Sequence, residues 1–108
     1  MEENIGDYLR DLREKEGVPM RKVAAMLDID QSTLSKIERN ERPPKEDLLP
    51  KMADCYQIDL QELRLVYLSD RVLAPILREG NPEEILKRAK EKLKFIKDRS
   101  YNQGKLDL

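Results

Sequence analysis

The chain has 108 residues, of which 40% are charged and 5% are aromatic, with a formal net charge of −1. This length allows one domain with a short appendage, and the high charge content is typical of small helical bundles with aliphatic cores. The single cysteine excludes an intrachain disulfide, and the absence of histidine excludes a His–Cys zinc site and a histidine general base.

Hydropathy and charge indicate where the protein works. No apolar run approaches the ~20 residues of a membrane span, and the acidic N-terminal segment lacks a signal-peptide pattern. We therefore expect a cytoplasmic protein with no membrane partner.

The charge balance differs between the two parts of the chain. Residues 1–66 hold 11 Lys and Arg against 15 Asp and Glu, whereas residues 67–108 hold 10 Lys and Arg against 7 Asp and Glu. The acidic first part counts against nucleic-acid binding, although local charge within ~10 Å matters more.

Helical spacing recurs along the chain and strand alternation does not, so an all-α fold is predicted. The first predicted helix has Asn4 as its cap and ends at Gly17, which favours the left-handed conformation of a helix terminator. The second begins at Pro19, where a missing N–H costs no helical hydrogen bond. The inner positions of these two helices are Ile5, Leu9, Leu12, Val23, Ala24 and Leu27.

The third predicted helix has an unusually narrow apolar face. It runs from Gln31 to about Arg39, with Asp30 as its cap and Asn40 as its terminator. At 100° per residue its two inward residues lie opposite a polar face of amide, hydroxyl and cationic groups. The inward pair is Leu34 and Ile37, the outward set is Ser32, Ser35, Lys36 and Arg39, and Gln31 lies at the N-terminal rim.

Two further helices follow a Pro-rich break. The fourth begins near Glu46 or Asp47 and carries Pro50 in or near its first turn, where no intrahelical donor is lost. The fifth is opened by a capping box from Asp59 to Glu62. Their inner positions are Leu48, Leu49, Met52, Ala53, Tyr56, Leu60, Leu63, Val66 and Tyr67.

Beyond residue 67 the sequence predicts a helical extension. Its first part is a helix that Pro75 bends or interrupts, and its second is a basic helix with Asn81 as cap and Pro82 at its first position, ending near Arg99. Residues 100–108 are expected to be a flexible tail. Leucine, alanine and isoleucine recur at 3-4-3 spacing on the basic helix, which forms a short heptad-like seam at Leu86, Ala89, Leu93 and Ile96.

Residues 5–66 resemble the lambda-repressor-like helix-turn-helix regulators, also called Cro/CI-type or xenobiotic-response-element regulators. The features that carry the resemblance are a Leu-Arg ending to the first helix, the Gly turn, an alanine in the second helix, a Ser-x-Ile-Glu third helix, a leucine-rich fourth helix and a short fifth. In this sequence they are Leu12-Arg13, Gly17, Ala24, Ser35-Lys36-Ile37-Glu38, Leu48-Leu49 and Leu60–Leu63.

The resemblance implies a five-helix DNA-binding domain over residues 1–66 whose third helix enters the major groove of double-stranded DNA. It implies base contacts by Gln31, Ser32 and Lys36. It implies groove-edge or backbone contacts by Arg21, Lys22, Ser35, Arg39, Arg42 and Lys45. It also implies that Arg13 and Glu38 form a structural ion pair beneath the third helix. The same outward residues could instead form an ordinary solvent-exposed face with no binding role. The five-helix pattern around them favours DNA contact over this interpretation.

Three departures from the family pattern bear on these expectations. The family usually has Ser-Gln at the start of the second helix, with the Gln on a phosphate, and this chain has Pro19-Met20, so Arg21 or Lys22 is expected to substitute. Asn40 replaces the usual glycine after the glutamate and tolerates the left-handed conformation. Asp28 lies where phosphates are expected and opposes DNA binding.

The sequence thus predicts a bacterial transcriptional regulator that binds a palindromic operator as a homodimer, controlling its own promoter or restriction–modification genes. The extension, residues 67–99, is expected to hold the dimer through Leu73, Ile76, Leu86, Leu93 and Ile96. Two alternatives remain: an antitoxin whose extension binds a toxin, and a protein-interaction module on a helix-turn-helix fold. No enzyme activity, cofactor or metal is expected, because no nucleophile–base pair or phosphate-binding loop is present.

Overall fold

The computed structural model describes residues 4–103, with side chains to residue 99. Within these residues the chain forms helices and no strand, which confirms the predicted all-α class. It divides into a compact unit that ends at Val72 and a second unit that begins at Leu73. The helices are α1 (Ile5–Lys15), α2 (Met20–Leu27), α3 (Gln31–Glu38), α4 (Leu49–Tyr56), α5 (Leu60–Leu73) and α6 (Pro82–Gln103), and a 3₁₀ turn at Glu46–Leu48 precedes α4.

The core of the first unit is a largely aliphatic cluster to which α1 to α5 all contribute. Helices α1 and α2 each pack on both α3 and α4, so α3 is held from two sides. Burying each large aliphatic side chain contributes about 1.5–3 kcal/mol, so the shared core fixes the orientation of α3. The buried hydrophobic residues are Ile5, Leu9, Val23, Ala24, Leu27, Leu34, Ile37, Leu49, Met52, Ala53, Leu63, Val66 and Tyr67.

Left-handed residues end four of the helical segments. Gly17 (φ 67°) and Asn40 (φ 60°) are in this conformation, which confirms both as terminators. Asp28 and Gln57, each with φ 57°, end α2 and α4 in the same way without being glycine or asparagine. Non-glycine residues enter this region at a small cost, so the turns at Asp28 and Gln57 are imposed partly by the tertiary packing.

The N-terminus of α1 is closed by side chains that are distant in the sequence. Asn4 occupies the cap position, as predicted, but its side chain makes no cap hydrogen bond. Instead the Ile5 N–H donates to Asp70 Oδ2 at 2.7 Å, and the Gly6 N–H donates to Asn40 Oδ1 at 2.9 Å. Free N–H groups at a helix start need acceptors, and here α5 and the end of α3 supply them.

Gly6 permits a close approach of α1 to the end of α3. A methyl group added there would overlap the Ile37 carbonyl oxygen and lie 2.8 Å from the Asn40 Cγ atom. We expect Gly6→Ala to lower the free energy of unfolding by about 1–3 kcal/mol, because the backbone of α3 cannot move away without disturbing the core. Urea denaturation measures this change. Gly80→Ala is the matched control, since nothing lies within 4 Å of its added methyl group, and equal losses in the two variants would contradict the interpretation.

The chain leaves the helical conformation after Leu73. Helix α5 continues beyond Tyr67 to that residue and residues 74–78 form turns, which confirms that Pro75 interrupts the predicted helix. The Ile76 and Leu77 N–H groups both donate to the Leu73 carbonyl oxygen at 3.0 Å. Pro75 lacks an N–H and disfavours helical φ and ψ in the residue before it, which accounts for the break.

Helix α6 begins where the sequence predicts. The Glu84 N–H donates to Asn81 Oδ1 at 3.3 Å, and Pro82 is the first helical residue. The helix continues to Gln103, beyond the predicted end near Arg99, and residues 104–108 of the predicted tail lie outside the described residues. No helix in the described part of the chain combines the length and apolar content needed to cross a membrane.

Candidate nucleic-acid interface

A tight turn between α2 and α3 sets the direction of α3. Asp28 ends α2 in the left-handed conformation, and the Ile29 N–H donates to the Ala24 carbonyl oxygen at 3.0 Å. Asp30 is the extended residue before α3, and its backbone carbonyl accepts the Leu34 N–H at 3.1 Å. Asp30 is thus the N-cap residue, as predicted, although its side chain makes no cap hydrogen bond. The two helices and this turn form a helix-turn-helix unit.

Helix α3 has a buried face and an exposed polar face. Leu34, Ile37 and Glu38 are buried against α1 and α2. The candidate base-contacting residues are all exposed: Ser32 and Lys36 lie on the other side, and Gln31 lies at the N-terminal rim. Ser35 is half-buried and Arg39 is exposed. The helix therefore presents amide, hydroxyl and ammonium groups to solvent at the candidate interface.

Arg13 and Glu38 form a two-pronged ion pair beneath α3. The Arg13 Nε and Nη2 atoms donate to the two Glu38 carboxylate oxygens at 2.8 and 2.9 Å, and Nη1 donates to the Val18 carbonyl oxygen at 3.0 Å. The Glu38 side chain is 1% exposed and that of Arg13 is 11% exposed. Hydrogen bonding to Glu38 raises the pKa of the Arg13 guanidinium. The pair therefore holds the Glu38 charge inside the domain and away from the exposed face of α3.

The Tyr56 phenol is a buried group associated with this pair. Its hydroxyl has no hydrogen-bond partner among the described residues. Burial, followed by the negative charge of Glu38, raises the pKa of Tyr56 well above its ordinary value. The phenol therefore stays neutral and contributes packing, not charge, to α4.

The loop after α3 carries exposed cations. Arg39 Nη1 lies 3.2 Å from the Glu41 carboxylate, so part of the Arg39 charge is already offset. Arg42 and Lys45 are exposed and form no ion pair with any described residue. Pro44 between them is buried and fixes this part of the loop to the domain. Arg42 and Lys45 are thus the cations of this loop most available to a phosphate.

An open groove of about 440 Å³ lies between the α2–α3 turn and this loop. Arg42 and Lys45 line it together with three carboxylates, those of Asp28, Asp30 and Asp47. The carboxylates weaken the positive potential at this edge of the interface. At the start of α2, two further candidate phosphate contacts, Arg21 and Lys22, are exposed.

Asn40 joins the end of α3 to the start of α1. Its Oδ1 accepts the Gly6 N–H, and its Nδ2 donates to Asp7 Oδ1 at 3.0 Å. The sequence identifies Asn40 only as a helix terminator. Its partners lie 34 and 33 residues away, so no local pattern in the sequence could indicate these bonds.

Two apolar surfaces remain on the described helices. The residues predicted for dimerisation are exposed at Leu73, Leu86 and Leu93 and half-buried at Ile76 and Ile96. A second surface, which we call the α5 stripe, consists of Leu65, Leu68 and Val72, with exposed fractions of 56%, 41% and 56%. It lies roughly opposite the buried face of α5. The signal that could have revealed it is the 3-4 spacing of these residues, which the sequence prediction missed by ending the fifth helix at Tyr67.

Comparisons with known proteins agree with this geometry. The sequence model of a helix-turn-helix family matches residues 9–63. The HTH-type transcriptional regulator ImmR of Bacillus subtilis (strain 168) is 32% identical over 60 residues, which are 56% of this chain; the chain spans about half, 47%, of that regulator's length.

Three solved structures are similar to the first unit. The restriction-modification controller protein C.AhdI from Aeromonas hydrophila is 29% identical with a TM-score of 0.51, over 55% of this chain and 89% of that one. The N-terminal DNA-binding domain of SinR from Bacillus subtilis is 26% identical with a TM-score of 0.50, over 56% and 88%. The clp gene regulator ClgR from C. glutamicum, 21% identical with a TM-score of 0.52 over 61% and 86%, shows the shared fold alone.

Proposed function

The chain belongs to the helix-turn-helix family, and from this premise we propose that it is a sequence-specific DNA-binding transcriptional regulator whose α3 enters the major groove. One observation carries the proposal: on α3 the amide, hydroxyl and ammonium groups are exposed, whereas the carboxylate is buried. Ser32 and Lys36 are exposed on one face and Gln31 is exposed at the N-terminal rim, whereas Glu38 is buried against Arg13. Amide, hydroxyl and ammonium groups can hydrogen-bond to base edges, and a withdrawn carboxylate does not repel the phosphates.

We assign a DNA contact to each of these exposed groups. Gln31 makes two hydrogen bonds to an adenine, Lys36 contacts a guanine, and Ser32 bonds to a base edge. The remaining candidates lie at the groove edge or on phosphates, where they set register and general affinity. These are Arg21, Lys22, Ser35, Arg39, Arg42 and Lys45.

The dependence of duplex binding on salt tests the proposal. Each neutralised phosphate contributes about −0.9 to the slope of log affinity against log salt. With Arg42, Lys45 and one α2 cation engaged in each protomer of a dimer, we expect a slope of about −5. Fluorescence anisotropy with a labelled duplex between 50 and 200 mM salt, about the range over which such slopes are read, gives this value. A slope near zero would contradict DNA binding and favour a protein-interaction module, the alternative that the acidic balance of residues 1–66 supports.

Asp28 is expected to weaken DNA binding. It lines the groove beside Arg42 and Lys45, and its left-handed conformation is one that asparagine tolerates. Removing one unit of like charge near a phosphate is worth about 1 kcal/mol in water, so we expect Asp28→Asn to tighten duplex binding about fivefold per protomer, or roughly 25-fold for a dimer. The control is Asp54→Asn, which makes the same charge change at an exposed α4 residue that does not line the groove. Equal tightening in both variants would show only a net-charge effect.

We further propose that the regulator binds as a homodimer, with half-sites about one helical turn, ~34 Å, apart. Leu73 and Ile76, predicted from the sequence, follow the α5 stripe along the chain. The stripe is apolar, and its flanks carry both signs, with Arg64 and Arg71 on one side and Glu62 on the other. Two such faces can pair without like charges facing one another along the whole contact. We therefore assign dimerisation to the α5 stripe rather than to Leu86, Leu93 and Ile96 on α6.

Sedimentation equilibrium tests this assignment. The wild-type chain is expected at twice its 12.7 kDa chain mass. Leu68→Asp places a charge in the stripe and should give the monomer mass, whereas Leu93→Asp on α6 should remain dimeric. The reverse result, a dimeric Leu68→Asp and a monomeric Leu93→Asp, would return dimerisation to α6.

The likeness to the controller protein C.AhdI supports restriction–modification genes as candidate targets, and the chain's own promoter is the other candidate. The second candidate function is an antitoxin that binds both DNA and a protein. The exposed apolar face of α6 favours this candidate.

A further inference from the structure

Helix α6 presents an apolar face that no other described residue fully covers. Leu86, Ala89, Leu93 and Ile96 follow one another at 3-4-3 spacing and so fall on one face. Leu86 is 37% exposed and Leu93 is 48% exposed. The spacing is that of a seam into which a second helix packs its side chains.

The charges on α6 are sorted around this face. Lys90 and Lys97 follow one edge of the seam, and Lys92 and Arg99 follow the other. All four are exposed. The acidic residues recur every seven positions on the opposite side of the helix, at Glu84, Glu91 and Asp98. A partner that packs on the seam therefore meets four cations at its edges and one carboxylate, that of Glu83, which lies one heptad before Lys90.

This arrangement disfavours a second copy of α6 as the occupant. In a parallel pair, Lys92 of one helix would face Lys97 of the other. In an antiparallel pair, each edge would meet the same edge of its partner, so Lys90 and Lys92 would each face their own copies, while Lys97 would face Glu83. Like charges therefore oppose the parallel pair and leave the antiparallel pair with both attractive and repulsive contacts, whereas a helix with acidic flanks meets an opposite charge at all four cations.

We propose that the α6 seam docks a helix of a different protein, one whose apolar stripe is flanked by Asp and Glu. The seam supplies the apolar contact, and Lys90, Lys92, Lys97 and Arg99 select the acidic flanks. This inference is independent of DNA recognition, because none of these residues lies in the first unit. A partner of this kind would connect promoter binding to a second protein.

A designed helical peptide tests the proposal with the full chain. The probe is a labelled three-heptad peptide with Leu at the two core positions and Glu at both flanking positions. One control peptide has Lys at the flanks, and a second keeps the Glu flanks but has Ser at the core positions. We expect the probe to bind at least about tenfold more tightly than either control at ~0.15 M salt, where interactions between exposed charges more than about 8 Å apart are largely screened. The charge-reversed variant Lys90→Glu/Lys92→Glu/Lys97→Glu should prefer the Lys-flanked peptide, and Leu93→Asp, with helicity checked by circular dichroism, should lose binding of the probe.

Four results would overturn the proposal. Equal binding of the Ser-core peptide would show attraction to any acidic chain. Failure of the probe to bind more tightly than the Lys-flanked peptide would remove the charge selection. Binding to phosphatidylglycerol vesicles without binding of the probe would assign the face to an anionic membrane. Dissociation of a wild-type oligomer by Leu93→Asp would assign it to a second copy of this chain.

Discussion

Replacing Glu38 with glutamine is expected to lower the free energy of unfolding by about 3 kcal/mol, because it leaves the Arg13 guanidinium without its counter-charge in a nearly closed site. Both carboxylate oxygens of Glu38 are engaged, at 2.8 and 2.9 Å, and the glutamine can accept only one of these bonds. Small domains have about 5–15 kcal/mol of stability in total, so this loss is a large part of it. Urea denaturation followed by circular dichroism measures the change.

Glu41→Gln is the control for this prediction. Glu41 pairs with Arg39 at 3.2 Å, but both side chains are at least half exposed, at 50% and 56%. Exposed ion pairs contribute about 0–1 kcal/mol, so this variant should be nearly as stable as the wild type. The double variant Arg13→Met/Glu38→Leu should recover much of the stability, since removing both charges leaves none unpaired. Equal losses in the two single variants would mean that the buried pair has no special role.

Replacing the outward polar residues of α3 with alanine is expected to remove most of the sequence preference. Each good contact to a base edge discriminates by about 1–3 kcal/mol. A symmetric dimer makes each contact twice, so Gln31→Ala or Lys36→Ala should cost about 2–6 kcal/mol on the full operator. Competition between the selected operator and duplexes mutated at single base pairs measures the change at each position.

Arg42→Ala is the matched comparison for those variants. Arg42 lies in the loop after α3 and is assigned to a phosphate, so its loss should weaken all duplexes about equally and make the salt slope about 1 unit shallower per contact. If Gln31, Ser32 and Lys36 could all become alanine with no change in base preference, α3 would not be the recognition helix. Unchanged urea midpoints for these exposed variants would show that the folded domain is intact.

The positions of the helices followed from local features of the sequence. Gly17 and Asn40 adopt the left-handed conformation that their side chains tolerate, and Asn81 accepts the hydrogen bond that opens α6. The narrow stripe of Leu34 and Ile37 predicted which face of α3 is buried. These features depend on backbone preferences and on helical periodicity, which act within a few residues of the chain.

The contacts that hold the helices together were harder to predict. The pairing of Arg13 with Glu38 was expected only from the family resemblance, because nothing in the spacing of 25 residues indicates it. Asp70 and Asn40 close the N-terminus of α1 over separations of 65 and 34 residues. Tertiary packing decides such bonds, and a local cap such as Asn4 loses to them when better acceptors are near.

The most direct test of the proposed function is selection of bound sequences by the full chain from a pool of random duplexes. We predict enrichment of one palindrome whose half-sites lie about one helical turn, ~34 Å, apart. Replacing Lys36 with alanine should then change the enriched base at one position in each half-site. A pool that stays random after repeated selection would contradict the account.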